Sequence, residues 1–333
     1  MMDMSGNHGQ YNDASTKDAW QQATPPQPTY PQGLPPGPAW HDEPQISPAL
    51  FDEIMSETHT QKTPDPEATV WIDHSKPTVE RACAMHIGTR QYQQDAVLLG
   101  TGQGDVVFGI LCDGMGGLED GELASRTAIE SIAEALREMD PSCNIPSYLI
   151  SAAILANGAV GAIPSASGKR GESGTTLTVA VITKGRLFWA SVGDSRIYIL
   201  RRGEIMAVTR DHSYSLELNE MVAKGRITAE AAATDPGRDA LISYLGVEEL
   251  ELIDFNNNAF ALEHGDIVLL CSDGLYRSLS DSDIAGLIAR HGDDLEECAR
   301  VLPLYAFDNS KSGHQDNTSV VLLRYQNGAD TTV

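Results

Sequence analysis

Between residues 175 and 208 the chain reads as four short β-type runs, 175–182, 186–192, 195–200 and 204–208. They are cut apart by Thr183-Lys184-Gly185, Gly193-Asp194 and Arg201-Arg202-Gly203. Turn chemistry at each junction makes this a meander of antiparallel strands. Residues 106–112 form a near-continuous apolar run bounded by Asp105 and by Asp113-Gly114, as expected of a strand buried on both faces. Further strands are expected at 267–272 and 318–325. Apolar residues at helical spacing predict helices at 121–139 (Leu123, Ala124, Ala128, Ile129, Ile132, Ala133, Leu136) and 147–163. Shorter helices fit 216–224, 281–291 and 295–307. Strand runs and helix pairs are segregated rather than alternating, which predicts an α+β domain: a β-sandwich with helix pairs on both outer faces.

The texture before this region is different. Residues 1–78 are rich in Pro, Gln, Ser, Thr and Asp, with Pro25-Pro26 and Pro35-Pro36 and no sustained periodicity. Such a segment cannot bury enough apolar surface to offset its ordering entropy. It is read as a disordered tail with a short helix near 48–56, followed by one domain over 79–327 and a C-terminal tail over 328–333. At 333 residues and 41% hydrophobic content the chain can bury a full core. No run approaches the roughly 18 apolar residues of a membrane helix, and the start lacks a basic-then-apolar leader, so a cytoplasmic protein with no membrane partner is expected. A net charge of −24 argues against nucleic acid as a partner. The five cysteines (Cys83, Cys112, Cys143, Cys271, Cys298) show no C-x-x-C spacing, which gives no sign of a disulfide framework or a zinc site.

Four aspartates each stand at the end of an apolar run beside a small or turn-forming residue. They are Asp95 in Gln94-Asp95-Ala96, Asp113 in Cys112-Asp113-Gly114, Asp273 in Ser272-Asp273-Gly274 and Asp316 in Gln315-Asp316-Asn317. A single Asp-Gly after a strand is ordinarily only a turn. Four strand ends converging at one edge of a sandwich can instead gather carboxylates around two hard cations, and such a pair can orient and deprotonate a water for attack on phosphorus. Glycine allows close backbone approach, so Gly114 can offer its carbonyl as a further ligand.

The ordered set of segments resembles the motifs of the PP2C (PPM) family of metal-dependent protein serine/threonine phosphatases, most closely its bacterial branch. Gly88-Thr89-Arg90-Gln91-Tyr92-Gln93-Gln94-Asp95-Ala96 resembles the first motif. Asp113-Gly114-Met115-Gly116-Gly117, followed by Gly121-Glu122-Leu123-Ala124-Ser125, resembles the second. Ser173-Gly174-Thr175-Thr176, Gly193-Asp194-Ser195-Arg196, Asp211-His212-Ser213, Ser272-Asp273-Gly274-Leu275 and Asp316-Asn317-x-Ser319 follow in family order. The resemblance implies a PP2C-like four-layer α-β-β-α sandwich of two antiparallel sheets. It implies two ions, Mn²⁺ or Mg²⁺, bridged by Asp113, with the Gly114 carbonyl on one and Asp273 and Asp316 completing the other. Asp95 is expected to act mainly through metal-bound water. Arg90 matches the family's phosphate-binding arginine, whose planar fork suits two phosphate oxygens; with Asp113 it makes up the expected catalytic pair. Residues 216–246 resemble the family's flap beside the active site.

The implied reaction is hydrolysis of phosphoserine and phosphothreonine in phosphorylated proteins by a metal-activated water, without a covalent enzyme intermediate. A monomer opposing a serine/threonine kinase on that kinase's substrates is expected. Three departures stand out. Gln93-Gln94-Asp95 replaces Asn-Glu-Asp, so a supporting carboxylate becomes a neutral amide. Met115 stands where eukaryotic members carry a histidine acid, so water must serve as the acid. The stretch Gly168-Lys169-Arg170-Gly171-Glu172-Ser173 lacks the aspartate that helps hold a third ion in bacterial relatives, Glu172 being the nearest substitute. The departures at Gln94 and Lys169 motivate a rival, a pseudophosphatase that binds a phosphoprotein without turnover; the retained Arg90, Asp113, Asp273 and Asp316 argue against it. His212 and His314 are read as structural or loop residues, and Cys112 and Cys271 as packing residues.

Overall fold

The computed structural model describes residues 69–72, 79–116, 120–164, 173–310 and 313–326. The helix expected near 48–56, Gly117, Glu172 with Lys169, and the C-terminal tail lie outside the described residues.

Two antiparallel sheets form the centre. The first runs in the order β1 (Thr69–Ile72), β2 (Val79–His86), β13 (Thr318–Tyr325), β12 (Ile267–Cys271), β8 (Arg196–Arg201), β9 (Glu204–Ala207). The second runs β10 (Asp254–Phe255), β7 (Arg186–Val192), β6 (Leu177–Thr183), β4 (Val107–Met115), β3 (Asp95–Thr101), with β11 (Phe260–Ala261) on β7 and β5 (Gly174–Thr175) on β4. The helices α1 (Asp120–Glu138) and α2 (Ile145–Gly161) pair with each other on the outer face of the second sheet. On the first sheet lie α6 (Asp281–His291) and α7 (Leu295–Asp308). Between them in sequence come α3 (Ser215–Ala223), α4 (Ala229–Ala233) and the single turn α5 (Asp273–Tyr276).

Strand periodicity explains why this stack has three cores. On β13, Val320 and Leu322 point toward α6 and α7, whereas Val321 and Leu323 point toward the other sheet. On β4, Phe108, Ile110 and Cys112 meet α1 and α2, and Val107 and Leu111 meet the first sheet. Both central strands are therefore apolar on both faces over their middle, 320–323 on β13 and 107–112 on β4, which is the signature read at 106–112. The helices start where local chemistry satisfies free amides. Asn144 accepts from Ser147 at α2, Ser280 and Asp283 close a capping box at α6, and Asp294 accepts from Glu296 and Glu297 at α7.

The structure differs from the sequence reading in two places. The meander is split between sheets: β6 and β7 belong to the second, β8 and β9 to the first. Its two outer turns are two-residue hairpins with positive φ at both positions, Lys184-Gly185 and Arg202-Gly203. The middle turn, Gly193-Asp194, carries the chain from one layer to the other, a step that turn residues alone do not distinguish from a hairpin. The other difference lies at the domain's start. Thr69–Ile72, inside the segment assigned to the tail, runs antiparallel to β2 and extends the first sheet. The run Thr69-Val70-Trp71-Ile72 is β-branched and aromatic, but four residues are too few to show a period.

The sheets approach closely at Gly109, where a Cβ would lie 2.7 Å from Val321 Cγ1. Gly109→Val is expected to destabilise the domain by about 1–3 kcal/mol through overpacking. Gly158→Ala, on the open face of α2 with nothing within 4 Å, is expected to be neutral or stabilising. Thermal melts of the two variants check the contrast; equal Tm values would mean that the sheets have room to part.

Candidate metal centre

The site is built where the end of β4, the start of β3, α5 and the entry to β13 meet. Register places Asp95 directly opposite Asp113 across the β3–β4 pair. Asp95 is buried: its Oδ2 accepts from Ser272 Oγ at 2.8 Å and from Ser319 Oγ at 2.7 Å, while its Oδ1 has no hydrogen-bond partner. Asp113 is held through its backbone, its amide donating to Thr176 Oγ1 (2.9 Å) and its carbonyl accepting from the Thr176 amide (2.8 Å) and Thr175 Oγ1 (3.0 Å). A Cβ on Gly114 would come within 2.0 Å of the Gly121 carbonyl oxygen, so only glycine lets β4 pass this close to α1.

The loop carrying Arg90 is clamped by residues from the far end of the domain. Asn317 accepts from the Gln94 amide (2.8 Å) and donates to the Ile87 and Tyr92 carbonyls (2.8 and 3.1 Å). Gln315 donates to the Gly274 carbonyl and to Thr318 Oγ1, tying the same entry segment to α5. Gly88, at φ +67°, lies so close beneath the Gln315 and Asp316 carbonyls that a Cβ would meet both at 2.4 Å. Arg90 extends from this loop, largely exposed, and its Nη2 donates to Asp316 Oδ2 at 2.6 Å.

These pieces enclose an open cleft of about 330 Å³ whose lining includes Arg90, Gln94, Asp113, Gly114, Met115 and Thr176. Asp194, Asp239, Leu241, Asp273, Arg277, Asp316 and Asn317 also line it. The structure thus brings Arg90, Asp113, Gly114, Asp273 and Asp316 to one cleft and sets Asp95 directly behind Asp113. The segment read as a flap supplies Asp239 and Leu241 and is pinned by backbone bridges Ser213 to Leu241 and Thr175 to Leu245. Sequence reasoning missed Asp239 and Arg277 altogether and did not assign Asp194 to the site. The nearest signal was that Arg277 follows Asp273 by one helical turn, which the structure turns into a 2.8 Å ion pair.

Burial and mutual repulsion perturb the carboxyls of the cleft. Burial, then the charge of Asp95, pushes the Asp113 carboxyl well above its ordinary range. Burial likewise raises Asp95 to about 6 and Asp273 to about 7, the latter against the lowering effect of Arg277. Asp194 is raised by burial too. A buried carboxylate oxygen without a donor, facing a second carboxylate, is satisfied by a cation or a cation-bound water. The donors are all oxygens, which suits Mg²⁺ or Mn²⁺ rather than a soft metal. Among the described residues no group of three carboxylate, imidazole or thiol side chains stands ready-made around a cation position; Asp316 pairs with Arg90 and Asp273 with Arg277. Hard cations commonly complete their sphere with backbone carbonyls and water, which Gly114 and the open cleft can provide.

His212 is fully buried, its Nδ1 accepting from the Gly193 amide at 3.2 Å, and burial depresses it to about 4. It is a neutral pin between the layer-crossing turn and the flap, in line with its structural reading. Cys112 and Cys271 are buried thiols whose pKa burial raises, so packing accounts for both.

The chain matches the model of the family protein phosphatase 2C over residues 83–303 and belongs to that family. It is 35% identical to the serine/threonine protein phosphatase PstP of Mycobacterium tuberculosis over 212 residues, 64% of this chain but only 39% of that protein's own length. It is 31% identical to the protein phosphatase PhpP of Streptococcus pneumoniae over 216 residues, 64% of this chain and 84% of PhpP. The crystal structure of the Streptococcus agalactiae serine/threonine phosphatase superposes with a TM-score of 0.66 at 30% identity, covering 74% of this chain and all of that one. The PstP catalytic domain in complex with two manganese ions superposes at a TM-score of 0.60, with 29% identity over 75% of this chain and 99% of that one.

Mn²⁺ is expected to raise the Tm, by about 2.7 kcal/mol of stability at a free concentration near one hundred times its Kd. The rise should shrink as pH falls below about 7. Asp273 (about 7) and Asp95 (about 6) bind protons in the folded state at pH values where an unfolded carboxyl, near 3.8, does not. In EDTA these two groups alone make the fold more stable as pH drops from about 7 toward 4, and His212, which charges in the unfolded chain first, works in the opposite direction below about 6.5. Melts with Mn²⁺ and with EDTA from pH 5 to 8 measure the difference; a gap that widens toward pH 5 would contradict carboxylate ligation.

Proposed function

We propose that the cleft hydrolyses phosphoserine and phosphothreonine in proteins, with two hard divalent ions, Mn²⁺ or Mg²⁺, as cofactors. The observation that carries this reading is the convergence of Asp113, Asp273 and Asp316 with Arg90 on one cleft, backed by the buried Asp95 whose second oxygen has no donor. Asp113 and the Gly114 carbonyl, Asp273 and Asp316 are the proposed ligands, and Asp95 is proposed to hold ligand water. When bound, such ions lower the pKa of a water and neutralise phosphoryl charge.

The chain's own residues do the rest. Arg90 engages two phosphoryl oxygens through its fork, and its present bond to Asp316 is an exposed pair of a kind worth about 0–1 kcal/mol, so an arriving phosphate displaces it at little cost. Met115 lines the cleft but carries no proton to donate, so the leaving oxygen of a phosphoserine takes its proton from water. Gln94 contributes through its backbone: its amide is held by Asn317 and its carbonyl accepts from the Gly114 amide (3.1 Å) and Ser125 Oγ (2.6 Å). The architecture that Glu would support thus stands without the carboxylate.

The proposed substrates are phosphorylated proteins, and the proposed opponents are serine/threonine kinases of the same cell, placed in the cytoplasm. Among the described residues no helix is long and apolar enough to cross a membrane. A binding module without turnover has no evident use for three cleft carboxylates together with Arg90, so the pseudophosphatase reading is not favoured.

The test is p-nitrophenyl phosphate and phosphopeptide hydrolysis with Mn²⁺, Mg²⁺ or EDTA; equal turnover in EDTA would refute the reading. Asp113→Asn and Asp273→Asn are each expected to cost at least about 100-fold in kcat while leaving the fold intact, because each removes charge from an ion's ligand set. Arg90→Ala should cost about 1.5–3 kcal/mol in kcat/KM, and Lys at that position should recover only part of it.

A further inference from the structure

Arg277 has no part in the proposed reaction, yet its guanidinium is the meeting point of three carboxylates from three separate segments. Its Nε lies 2.8 Å from Asp273 Oδ2 in α5. Its Nη2 lies 3.3 Å from Asp194 Oδ2 in the turn between the sheets, and its Nη1 lies 3.7 Å from Asp239 Oδ2 in the flap. The Asp194 side chain is only 9% exposed and Asp273 17%, so both carboxylates are largely cut off from water and need a cation close by. Asp239, 67% exposed, is the loose outer contact.

The arrangement is fixed from behind. The Arg277 amide donates to the Asp273 carbonyl (3.0 Å), and the Tyr276 hydroxyl donates to the Asp194 carbonyl (3.0 Å). The Tyr276 ring is covered by the Arg196 guanidinium at 3.6 Å, and Arg196 is itself bound through two hydrogen bonds to Asp211 at 2.8 and 2.7 Å. Turn and helix are thereby locked to each other, and Arg277 is held where the two acids face. Arg90, by contrast, is more than half exposed and has Asp316 as its ion-pair partner.

Without the guanidinium, these three side chains would present an oxygen-only donor set with a formal charge of three negatives, the chemistry that selects a hard divalent cation. An arginine is always charged and cannot be washed out or exchanged. We propose that Arg277 is a built-in cation of the centre: it stands among Asp273, Asp194 and Asp239 in place of a further divalent ion and positions Asp273 for the ions that do bind. This agrees with the sequence reading that a third ion lacks its aspartate, and it rests on the metal centre proposed above.

The experiment counts ions. Equilibrium dialysis against Mn²⁺ with metal analysis is run on the wild-type chain, Arg277→Gln and Arg277→Lys, with thermal melts across the same Mn²⁺ concentrations. Arg277→Gln is expected to bind one more Mn²⁺ per chain than wild type, and its Tm should keep rising at concentrations where wild type is saturated. Arg277→Lys keeps the charge and should match the wild-type count. An unchanged count in Arg277→Gln beside a wild type that binds two ions overturns this inference alone, as does a gained ion in Arg277→Lys. A wild type that binds no Mn²⁺ overturns the metal centre and this inference together.

Discussion

Two carboxylates face each other across an antiparallel strand pair, and the architecture around them is arranged to tolerate that. Asp95 and Asp113 stand in register, a pairing of like charges that costs stability wherever it occurs in a sheet. Here the cost is raised by burial and partly offset by the Ser272 and Ser319 hydroxyls on one oxygen of Asp95. Those serines come from β13 and from the cap of α5, both attached to the other sheet. Asp95 is therefore solvated by the opposite layer of the sandwich, and the two sheets must be correctly stacked before its buried carboxylate is tolerable.

Arginine completes this balance at the rim. The cleft holds several acids but two guanidiniums, Arg90 and Arg277, which differ in how they are held. Arg90 rides on a loop whose backbone is fixed by Asn317 while its side chain remains exposed, which suits a group that must exchange one anionic partner for another. Arg277 is enclosed by carboxylates and anchored through α5, which suits a permanent counter-charge. The same residue type serves opposite purposes because backbone anchoring and burial differ.

Much of this was legible in the chain itself. The helix at 281–291 and the strand at 318–325 occur with the expected limits, because a capping box opens one and a dense β-branched run defines the other. Three of the four aspartates were visible as Asp-Gly or Asp-Asn steps, and Asp95 by its place before an apolar run. Three features were not visible, for physical reasons. The layer crossing at Gly193 looks like any glycine turn until Thr176, within 2.8 Å of where its Cβ would be, is placed beside it. The strand at Thr69–Ile72 is specified by its pairing with β2 rather than by its own pattern. The role of Arg277 depends on Asp194 and Asp239, which reach it from 83 and 38 positions earlier in the chain, and no local pattern encodes that proximity.

The bond from Ser319 to Asp95 spans 224 positions, and the clamp of Asn317 on the Tyr92 carbonyl spans 225. Every element of the cleft's first half thus waits for the last strand. At ribosomal speeds of about 5–20 residues per second, that interval is on the order of 10–45 s, for most of which the nascent chain carries Asp95 and Asp113 but not the segment that holds them in place. A partly synthesised domain therefore has no working cleft. The topology acts as a timer, withholding the assembled cleft until residues 315–319 have been made.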